Sequence, residues 1–229
     1  MANNPCIIIA DDHPLFRSAL CGTLQRELNE PQLIEAADFN SLQTAVEAHK
    51  TANLILLDLH MPGAEGFSAL VFLTAHYAHI PVMVVSAMEE PDIIRRAMDH
   101  GACGFLPKSA SIEDMTAALT AALAGNLWLP AGIDDTPAAN EAELNIAESL
   151  ARLTPQQFRV AAMVNQGLLN KQIAYELNVT EATIKAHMTE IFRKLGVHSR
   201  TQAVLAMAQL AINPNSTLEA FRSQALPLQ

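Results

Sequence analysis

A short apolar run followed directly by a carboxylate constrains this chain more than any other stretch. Residues 54–63 read Leu-Ile-Leu-Leu-Asp-Leu-His-Met-Pro-Gly. Four consecutive apolar residues are typical of a strand buried on both faces of a parallel sheet, and Pro62-Gly63 predict a loop. Asp58 is therefore expected at the carboxyl end of a buried strand, where open α/β sheets bind their ligands. A lone aspartate there is more often a turn residue, so the other strand ends decide its meaning.

The first half of the chain repeats this pattern of short apolar runs separated by amphipathic stretches. Helix starts are indicated by Pro14 and Pro91, and Ser111 with Asp114 forms an approximate capping box. Five helices are predicted between and after the strands, which favours a doubly wound, five-stranded parallel sheet of the α/β class. The predicted strands are residues 6–10, 32–36, 54–57, 81–85 and 104–106.

Polar residues follow four of these five strands: Asp11-Asp12, Asp58, Ser86 and Lys108. If the four strands are neighbours, these side chains converge in one cleft. Three nearby carboxylates repel one another unless a cation neutralises them, and hard oxygen ligands suit Mg²⁺. A carboxylate beside Mg²⁺ can attack a phosphoryl group, Lys108 can neutralise the transferred oxygens, and Ser86 can donate a hydrogen bond to them.

The set Asp-Asp, Asp-x-x-Met-Pro-Gly, Ser-Ala and Phe-Leu-Pro-Lys resembles the receiver domain of two-component response regulators over nearly all of residues 5–125. The resemblance implies a flavodoxin-like strand order of 2-1-3-4-5. It also implies a role for each matching residue. Asp58 is the expected phosphoacceptor, Ser86 the switch hydroxyl, Phe105 the switch aromatic and Lys108 the phosphate-pairing lysine. The expected Mg²⁺ ligands are Asp12 and Asp58 directly, Asp11 through water, and the backbone carbonyl of His60.

Charge is divided unevenly along the chain. Residues 1–148 hold 6 Lys and Arg against 20 Asp and Glu, a net charge of −14, whereas residues 149–212 hold 7 against 3, a net charge of +4. An acidic first part and a basic second part suggest two functions, the second on a polyanion. Pro, Gly, Asp and Asn at the start of residues 129–148 predict a linker whose second half could form a short helix.

Residues 149–212 predict four short helices. Thr154 with Pro155 starts the first, Asn170 is the expected cap of the second, and Thr180 caps a third that ends at Gly196. Ser199 with Gln202 begins the fourth. The second and third helices are joined by a tight turn at residues 178–179, which is typical of a helix-turn-helix that places its second helix in the DNA major groove.

Residues 153–207 resemble the LuxR-type helix-turn-helix of NarL/FixJ regulators, through Leu-Thr-Pro, Lys-Gln-Ile-Ala, Val-Thr-Glu-Ala-Thr-Ile-Lys and Lys-Leu-Gly-Val. By position, the resemblance directs three residues to bases (Lys185, Ala186, Thr189), three toward phosphates (Lys171, Thr183, Arg193), and four to a dimerisation helix (Ala203, Val204, Met207, Ala208). Two positions depart from the family. Residue 189 is often basic, and Gln157 replaces a glutamate that is expected to pair with a basic residue.

These features predict a cytoplasmic response regulator. A sensor histidine kinase is the expected source of the phosphoryl group, double-stranded promoter DNA the expected target, and a homodimer the expected phosphorylated form. Two alternatives stay open: a receiver that acts as a phosphorylation-independent dimerisation or partner-binding module, and an aspartyl-phosphate phosphatase on a similar sheet. The phosphatase lacks support because His60 stands where such enzymes carry a second aspartate.

Membrane and disulfide features are not indicated. The chain has no 18-residue apolar run, and residues 1–4 lack the pattern of a signal peptide. Its three cysteines, Cys6, Cys21 and Cys103, are widely spaced and form no Cys-x-x-Cys pair. We expect buried, reduced thiols. Residues 213–229 carry no motif and are predicted to be a flexible tail.

Overall fold

The computed structural model describes residues 4–134 and 136–213, and the chain divides into two units between Ala139 and Asn140. The first unit is built around a parallel sheet of five strands, β1 (Cys6–Ala10), β2 (Gln32–Ala36), β3 (Leu54–Leu57), β6 (Val82–Ser86) and β7 (Gly104–Pro107); β4 (His60–Met61) and β5 (Ala64–Glu65) form a separate hairpin. The order across the sheet is β2-β1-β3-β6-β7. This confirms the α/β class, the five-stranded parallel sheet and the 2-1-3-4-5 order of the predicted fold.

Five helices alternate with these strands, as the apolar periodicity predicts. Proline occupies the first turn of the first and fourth helices. Its missing N–H costs nothing there, because the N–H groups of the first turn have no hydrogen-bond partner within the helix. Ser111 accepts a hydrogen bond from Asp114 N–H and caps the fifth. The helices are α1 (Pro14–Glu27), α2 (Phe39–Ala48), α3 (Ser68–His76), α4 (Pro91–Asp99) and α5 (Ile112–Leu123).

The strand at the centre of the sheet, β3, is apolar throughout because helices cover both faces of the sheet. Every residue of β3 is at most 1 % exposed, and the edge strand β7 is also buried along its whole length. Gly104 lies where the backbone of Trp128 passes close to β7, so that a Cβ at this position would stand 2.6 Å from the Trp128 carbonyl oxygen. Phe105 N–H donates to that oxygen, and Trp128 N–H donates to Cys103. The chain therefore remains part of the first unit through Trp128.

A small hairpin directly after β3 was not predicted from the sequence. Strands β4 (His60–Met61) and β5 (Ala64–Glu65) pair antiparallel around Pro62-Gly63. The sequence pattern predicts only a loop here, because a two-residue strand is too short to show an alternation of apolar and polar residues. The hairpin holds the segment that follows Asp58 in a defined path.

The second unit contains the four helices predicted from residues 149–212. Helices α8 (Asn170–Glu176) and α9 (Glu181–Leu195) form the helix-turn-helix. The turn between them contains Asn178 in the left-handed region at φ 51°. Gly196 ends α9 in the left-handed conformation at φ 67°, which glycine adopts at low cost. The helices are α7 (Pro155–Asn165), α8 (Asn170–Glu176), α9 (Glu181–Leu195) and α10 (Arg200–Met207), followed by a 3₁₀ turn at Ala208–Leu210.

One helix of this unit agrees with what the linker sequence allows, and one helix cap differs from the prediction. The second half of the predicted linker forms the short helix that its sequence allows, α6 (Glu141–Ala151), which is capped by Asn140 and belongs to the second unit. Leu150 is 1 % exposed and anchors this helix to the core. Asn170 is the first residue of α8 and not its cap. The cap position belongs to Leu169, whose N–H donates to Gln172 Oε1 at 2.7 Å.

Gln157 keeps a basic partner although its side chain carries no charge. Lys194 Nζ donates to Gln157 Oε1 and to the Arg152 carbonyl, each at 2.7 Å, and Thr154 N–H donates to the same Gln157 oxygen. The departure from glutamate thus replaces an ion pair with a charge-assisted hydrogen bond. The contact between α7 and the end of α9 is preserved.

The predicted tail, residues 213–229, lies outside the described residues apart from Asn213.

The three cysteines are free thiols, and they are half-buried where the sequence predicts buried thiols. Burial raises the pKa of Cys103 to about 11. Among the helices of the described ranges, none combines the length and apolarity needed to cross a bilayer.

Candidate phosphoacceptor site and nucleic-acid interface

The register of the sheet brings the predicted cleft residues to one edge. Ala10 pairs with Leu57, and Ser86 pairs with Pro107, so the residues that follow β1, β3 and β7 leave the sheet together. Asp58 N–H donates to the Ala10 carbonyl at 2.8 Å, and Lys108 N–H donates to the Ser86 carbonyl at 2.7 Å. Backbone hydrogen bonds thus fix the positions of Asp58 and Lys108 independently of their side-chain contacts.

Lys108 joins the two buried carboxylates of this cleft. Its Nζ lies 2.6 Å from Asp11 Oδ2 and 2.8 Å from Asp58 Oδ2, and both aspartate side chains are almost fully buried. Burial raises the pKa of Asp58, while Lys108 and the His60 N–H oppose the shift. Burial lowers the pKa of Lys108, but its hydrogen bonds to both carboxylates outweigh that effect and leave its pKa raised. The ammonium neutralises part of the negative charge of the three adjacent carboxylates and leaves a net negative site.

Four side chains at this edge place one potential ligand atom each within 4.8 Å of one another: Asp11, Asp12, His13 and Asp58. Asp12 is partly exposed and Asp11 and Asp58 are buried, so the cluster opens to solvent on the Asp12 side. Carboxylate oxygens with solvent access match the preference of Mg²⁺ for hard oxygen ligands and retained waters. The donor set of this structure therefore fits the predicted metal.

The two predicted switch residues lie on the neighbouring strands β6 and β7. Ser86 is fully buried, and its Oγ accepts a hydrogen bond from Met88 N–H at 3.1 Å. Phe105 is also fully buried and pairs with Val84 across the two strands. Phe105 thus contributes its ring to the core, while its N–H is bonded to Trp128.

Three residues of the site were missed from the sequence: His13, Phe16 and Arg17. His13 Nδ1 lies 2.6 Å from Asp12 Oδ1, the Phe16 ring centre lies 4.8 Å from Lys108 Nζ, and Arg17 donates to the Asp11 carbonyl at 2.7 Å. A helix that starts directly after Asp11-Asp12 returns residues 16 and 17 to the same face one turn later. The helical spacing of residues 13, 16 and 17 could therefore have indicated that all three lie beside the cleft.

The second unit exposes one face of α9. Its buried side consists of Ile184, Met188, Ile191 and Leu195, as predicted. The predicted base-facing residues Lys185, Ala186 and Thr189 are all exposed, as are Lys171 and Arg193. Thr183 is half-buried, and its hydroxyl contacts the hydroxyl of the capping residue Thr180 at 2.9 Å, so this side chain already takes part in the helix cap.

The four predicted dimerisation residues do not form one surface. Ala203, Met207 and Ala208 are at most 8 % exposed and lie in the core of the second unit. Val204 alone of the four is half-buried. The dimerisation surface stays a prediction, and Val204 is the one of these four side chains that lies near the surface of α10.

Comparison with known proteins gives two family matches along the chain. Residues 7–120 match the response regulator receiver domain, and residues 151–207 match the luxR family of bacterial regulatory proteins. The chain is 39% identical over 210 residues to the glycerol metabolism activator of Pseudomonas putida, covering 89% of this chain and 95% of that protein. It is 30% identical over 207 residues to the nitrate/nitrite response regulator NarL of Escherichia coli K12, covering 89% and 94%.

A solved structure of two RcsB dimers bound to two parallel DNAs shares the fold, with a TM-score of 0.54 and 23% identity, covering 90% of this chain and 99% of that one. Family members are transcription regulators and not enzymes, which removes the phosphatase alternative. The receiver fold, the acidic cleft, the helix-turn-helix and these matches agree along the chain. The protein belongs to the NarL/FixJ family of two-component response regulators.

Proposed function

We propose that this protein is a DNA-binding transcription factor switched by Mg²⁺-dependent phosphorylation of Asp58. The observation that carries the proposal is the buried Asp58 carboxylate, 2.8 Å from Lys108 and beside two further carboxylates, in a chain that also exposes a recognition helix. A sensor histidine kinase is the proposed phosphoryl source. Because the target is genomic DNA, we infer that the protein acts in the cytoplasm.

Asp11, Asp12 and Asp58 are the proposed side-chain ligands of Mg²⁺, together with the backbone carbonyl of His60. When bound there, Mg²⁺ supplies positive charge for the oxygens of the transferred phosphoryl group. The hairpin after β3 supports the choice of His60, because His60 is the first residue of β4 and its N–H already donates to Asp58 Oδ1 at 3.2 Å. The loop is therefore held next to the phosphoacceptor.

The side chains of the cleft have separate roles in the transfer. A carboxylate oxygen of Asp58 attacks phosphorus and forms an acyl phosphate, while the bond from phosphorus to the donor's imidazole nitrogen breaks and its electron pair returns to that nitrogen. The ammonium group of Lys108 pairs with the oxygens of the transferred phosphoryl group. The Ser86 hydroxyl donates a hydrogen bond to one of these oxygens. The product adds about −1.5 to −2 charges at this edge.

We expect Lys108→Met to bind Mg²⁺ about tenfold more tightly than the parent protein, as measured by isothermal titration calorimetry. Lys108 occupies oxygens of Asp11 and Asp58, two of the proposed ligands, so a bound ion competes with the ammonium for them. Methionine keeps an unbranched side chain without the charge. The matched control is Lys50→Met, an exposed lysine paired with Glu47, which should leave the affinity unchanged. Equal or weaker binding by Lys108→Met would contradict the proposed ligand set.

Double-stranded promoter DNA is the proposed target of the second unit. The solved RcsB structure is described as bound to DNA, and this chain exposes the corresponding helix-turn-helix. Lys185, Ala186 and Thr189 are proposed to face bases, with Lys171 and Arg193 toward phosphates. Thr183 is also proposed to contact a phosphate, and it would do so without leaving its hydrogen bond to the capping residue Thr180.

A phosphorylated homodimer is the proposed DNA-binding form. RcsB is described as dimeric on its DNAs. In this chain Val204 and the exposed residues Thr201 and Gln202 share helix α10. A two-fold dimer through this helix would present two α9 helices to two half-sites, whose spacing follows the dimer geometry.

The test is a promoter-library selection with and without a small phosphodonor and Mg²⁺, on the parent protein and Asp58→Ala. We expect the donor to tighten binding in the parent protein only. Equal binding in all four arms would overturn the phosphorylation switch and favour the phosphorylation-independent receiver. Absence of bound DNA in every arm would overturn the proposed target.

A further inference from the structure

The centre of the exposed face of α9 carries methyl groups. Ala182, Ala186 and Thr189 recur at intervals of four and three residues, so they lie on one side of the helix. All three are exposed, and the side opposite them is formed by the buried residues Ile184 and Met188. A helix that enters a groove with this side foremost presents small apolar groups first.

Thr189 acts as an apolar residue on this face because its hydroxyl is already engaged. The Thr189 Oγ1 donates to the Lys185 carbonyl at 3.1 Å, one turn earlier in the helix. The hydroxyl proton is therefore used within α9, and the methyl group is the part of the side chain that has no hydrogen-bonding role. Ala186 offers only its methyl group.

The charged residues lie beside this row of methyl groups and are paired. Lys185 Nζ lies 3.1 Å from Glu181, and Arg193 Nη2 lies 2.8 Å from Glu190. Each pair is exposed and held within α9 at helical spacing. The face thus combines a central apolar row with Lys185 beside the row and Arg193 one turn beyond Thr189.

We propose that Ala186 and Thr189 recognise thymine by contact of their methyl groups with the thymine C5 methyl in the major groove. This inference rests on the proposed binding to promoter DNA. Among the four bases, only thymine places a methyl group in that groove, and alanine and threonine are suited to contact it. A basic residue at position 189 would instead favour guanine, so this chain selects different bases from relatives that are basic there.

The experiment replaces single thymines by deoxyuridine, which removes the C5 methyl and keeps every hydrogen-bonding group of the base. Duplexes from the selection are titrated with phosphorylated full-length protein at one fixed salt concentration, and Kd is measured by fluorescence anisotropy. At the positions that face Ala186 and Thr189 we expect about a fourfold loss of affinity per replacement, the value of one buried methyl group. Thymines in the flanks of the same duplex serve as controls.

Two substitutions at position 189 separate the methyl from the hydroxyl. Thr189→Ser removes the methyl and keeps the hydroxyl that donates to the Lys185 carbonyl. At the base position that faces residue 189, this variant should therefore bind the thymine and uracil duplexes with equal affinity. Thr189→Val keeps a methyl at the same place without the hydroxyl and should retain the preference for thymine. Circular dichroism checks that both variants are folded.

Each outcome decides the inference. Loss of affinity with uracil, abolished in Thr189→Ser and kept in Thr189→Val, supports it. Unchanged affinity at every replaced thymine, or a preference that survives in Thr189→Ser and disappears in Thr189→Val, overturns it and assigns any role of Thr189 to its hydroxyl. A protein that selects no duplex at all overturns the proposed function itself, which is a distinguishable result.

Discussion

Asp58→Asn is expected to abolish phosphorylation of this protein, with no phosphoryl group incorporated from a small phosphodonor in the presence of Mg²⁺. An amide nitrogen or oxygen is a far weaker nucleophile than a carboxylate oxygen, and asparagine keeps the size of the side chain in a site that is almost fully buried. Asp11 and Asp12 are proposed to hold Mg²⁺, so we expect neither of them to accept the phosphoryl group in place of Asp58.

Phosphate-affinity electrophoresis measures this effect directly, because the phosphorylated chain migrates more slowly. Asp92→Asn is the matched control, since Asp92 is an exposed aspartate in the first turn of α4, away from the cleft. It should be phosphorylated like the parent protein. Removing Mg²⁺ with a chelator should suppress the reaction in the parent as well. Continued phosphorylation of Asp58→Asn at the parent's rate would show that another residue is the acceptor.

Phe158→Ala is expected to destabilise the second unit by about 3–5 kcal/mol, which is the usual cost of removing a buried phenylalanine. Phe158 lies on α7 and is 2 % exposed. A loss of this size is a large fraction of the stability of a small domain, which is about 5–15 kcal/mol. Much of the second unit should therefore unfold at moderate denaturant concentration, and DNA binding should be lost with it.

The position of the single tryptophan allows the two units to be followed separately. Trp128 is bonded to β7 of the first unit, so its fluorescence reports on the receiver, whereas far-ultraviolet circular dichroism reports on the helices of both units. In Phe158→Ala, the dichroism signal should decrease at lower denaturant concentration while the Trp128 transition is unchanged. Phe192→Ala, at a half-buried position on α9, is the control and should cost less. Equal shifts for both variants would show that Phe158 is not a core anchor.

Several elements could be predicted from the sequence because the information is local. The runs at residues 54–57 and 82–85 are apolar without interruption, and Asp58 and Ser86 stand directly at their ends. The buried row of α9, Ile184 and Met188 among it, follows from helical spacing alone. These features depend on residues that are near one another in the chain.

Other elements could not be predicted, for two different reasons. The hairpin at His60–Glu65 is local, but its strands are too short to show an alternating pattern. The packing of a helix depends on residues that are distant in sequence. The inward orientation of Ala203 and Met207 depends on which side of α10 meets the other helices. A pattern of apolar residues indicates a buried face but not whether the partner is the same chain or a second copy.

The two-part organisation, the order of strands and helices along the chain, and the residues at the carboxyl edge of the sheet can all be inferred from the sequence alone. Hydrophobic periodicity indicates where the strands and helices lie, because burial of apolar side chains selects them, and parallel strands bring Asp11, Asp12, Asp58 and Lys108 to one edge. The bridge that Lys108 forms between Asp11 and Asp58, and the docking of Trp128 beside Gly104, are seen only in the folded structure. Such contacts join residues that are far apart in the chain, and their geometry follows from how the elements pack.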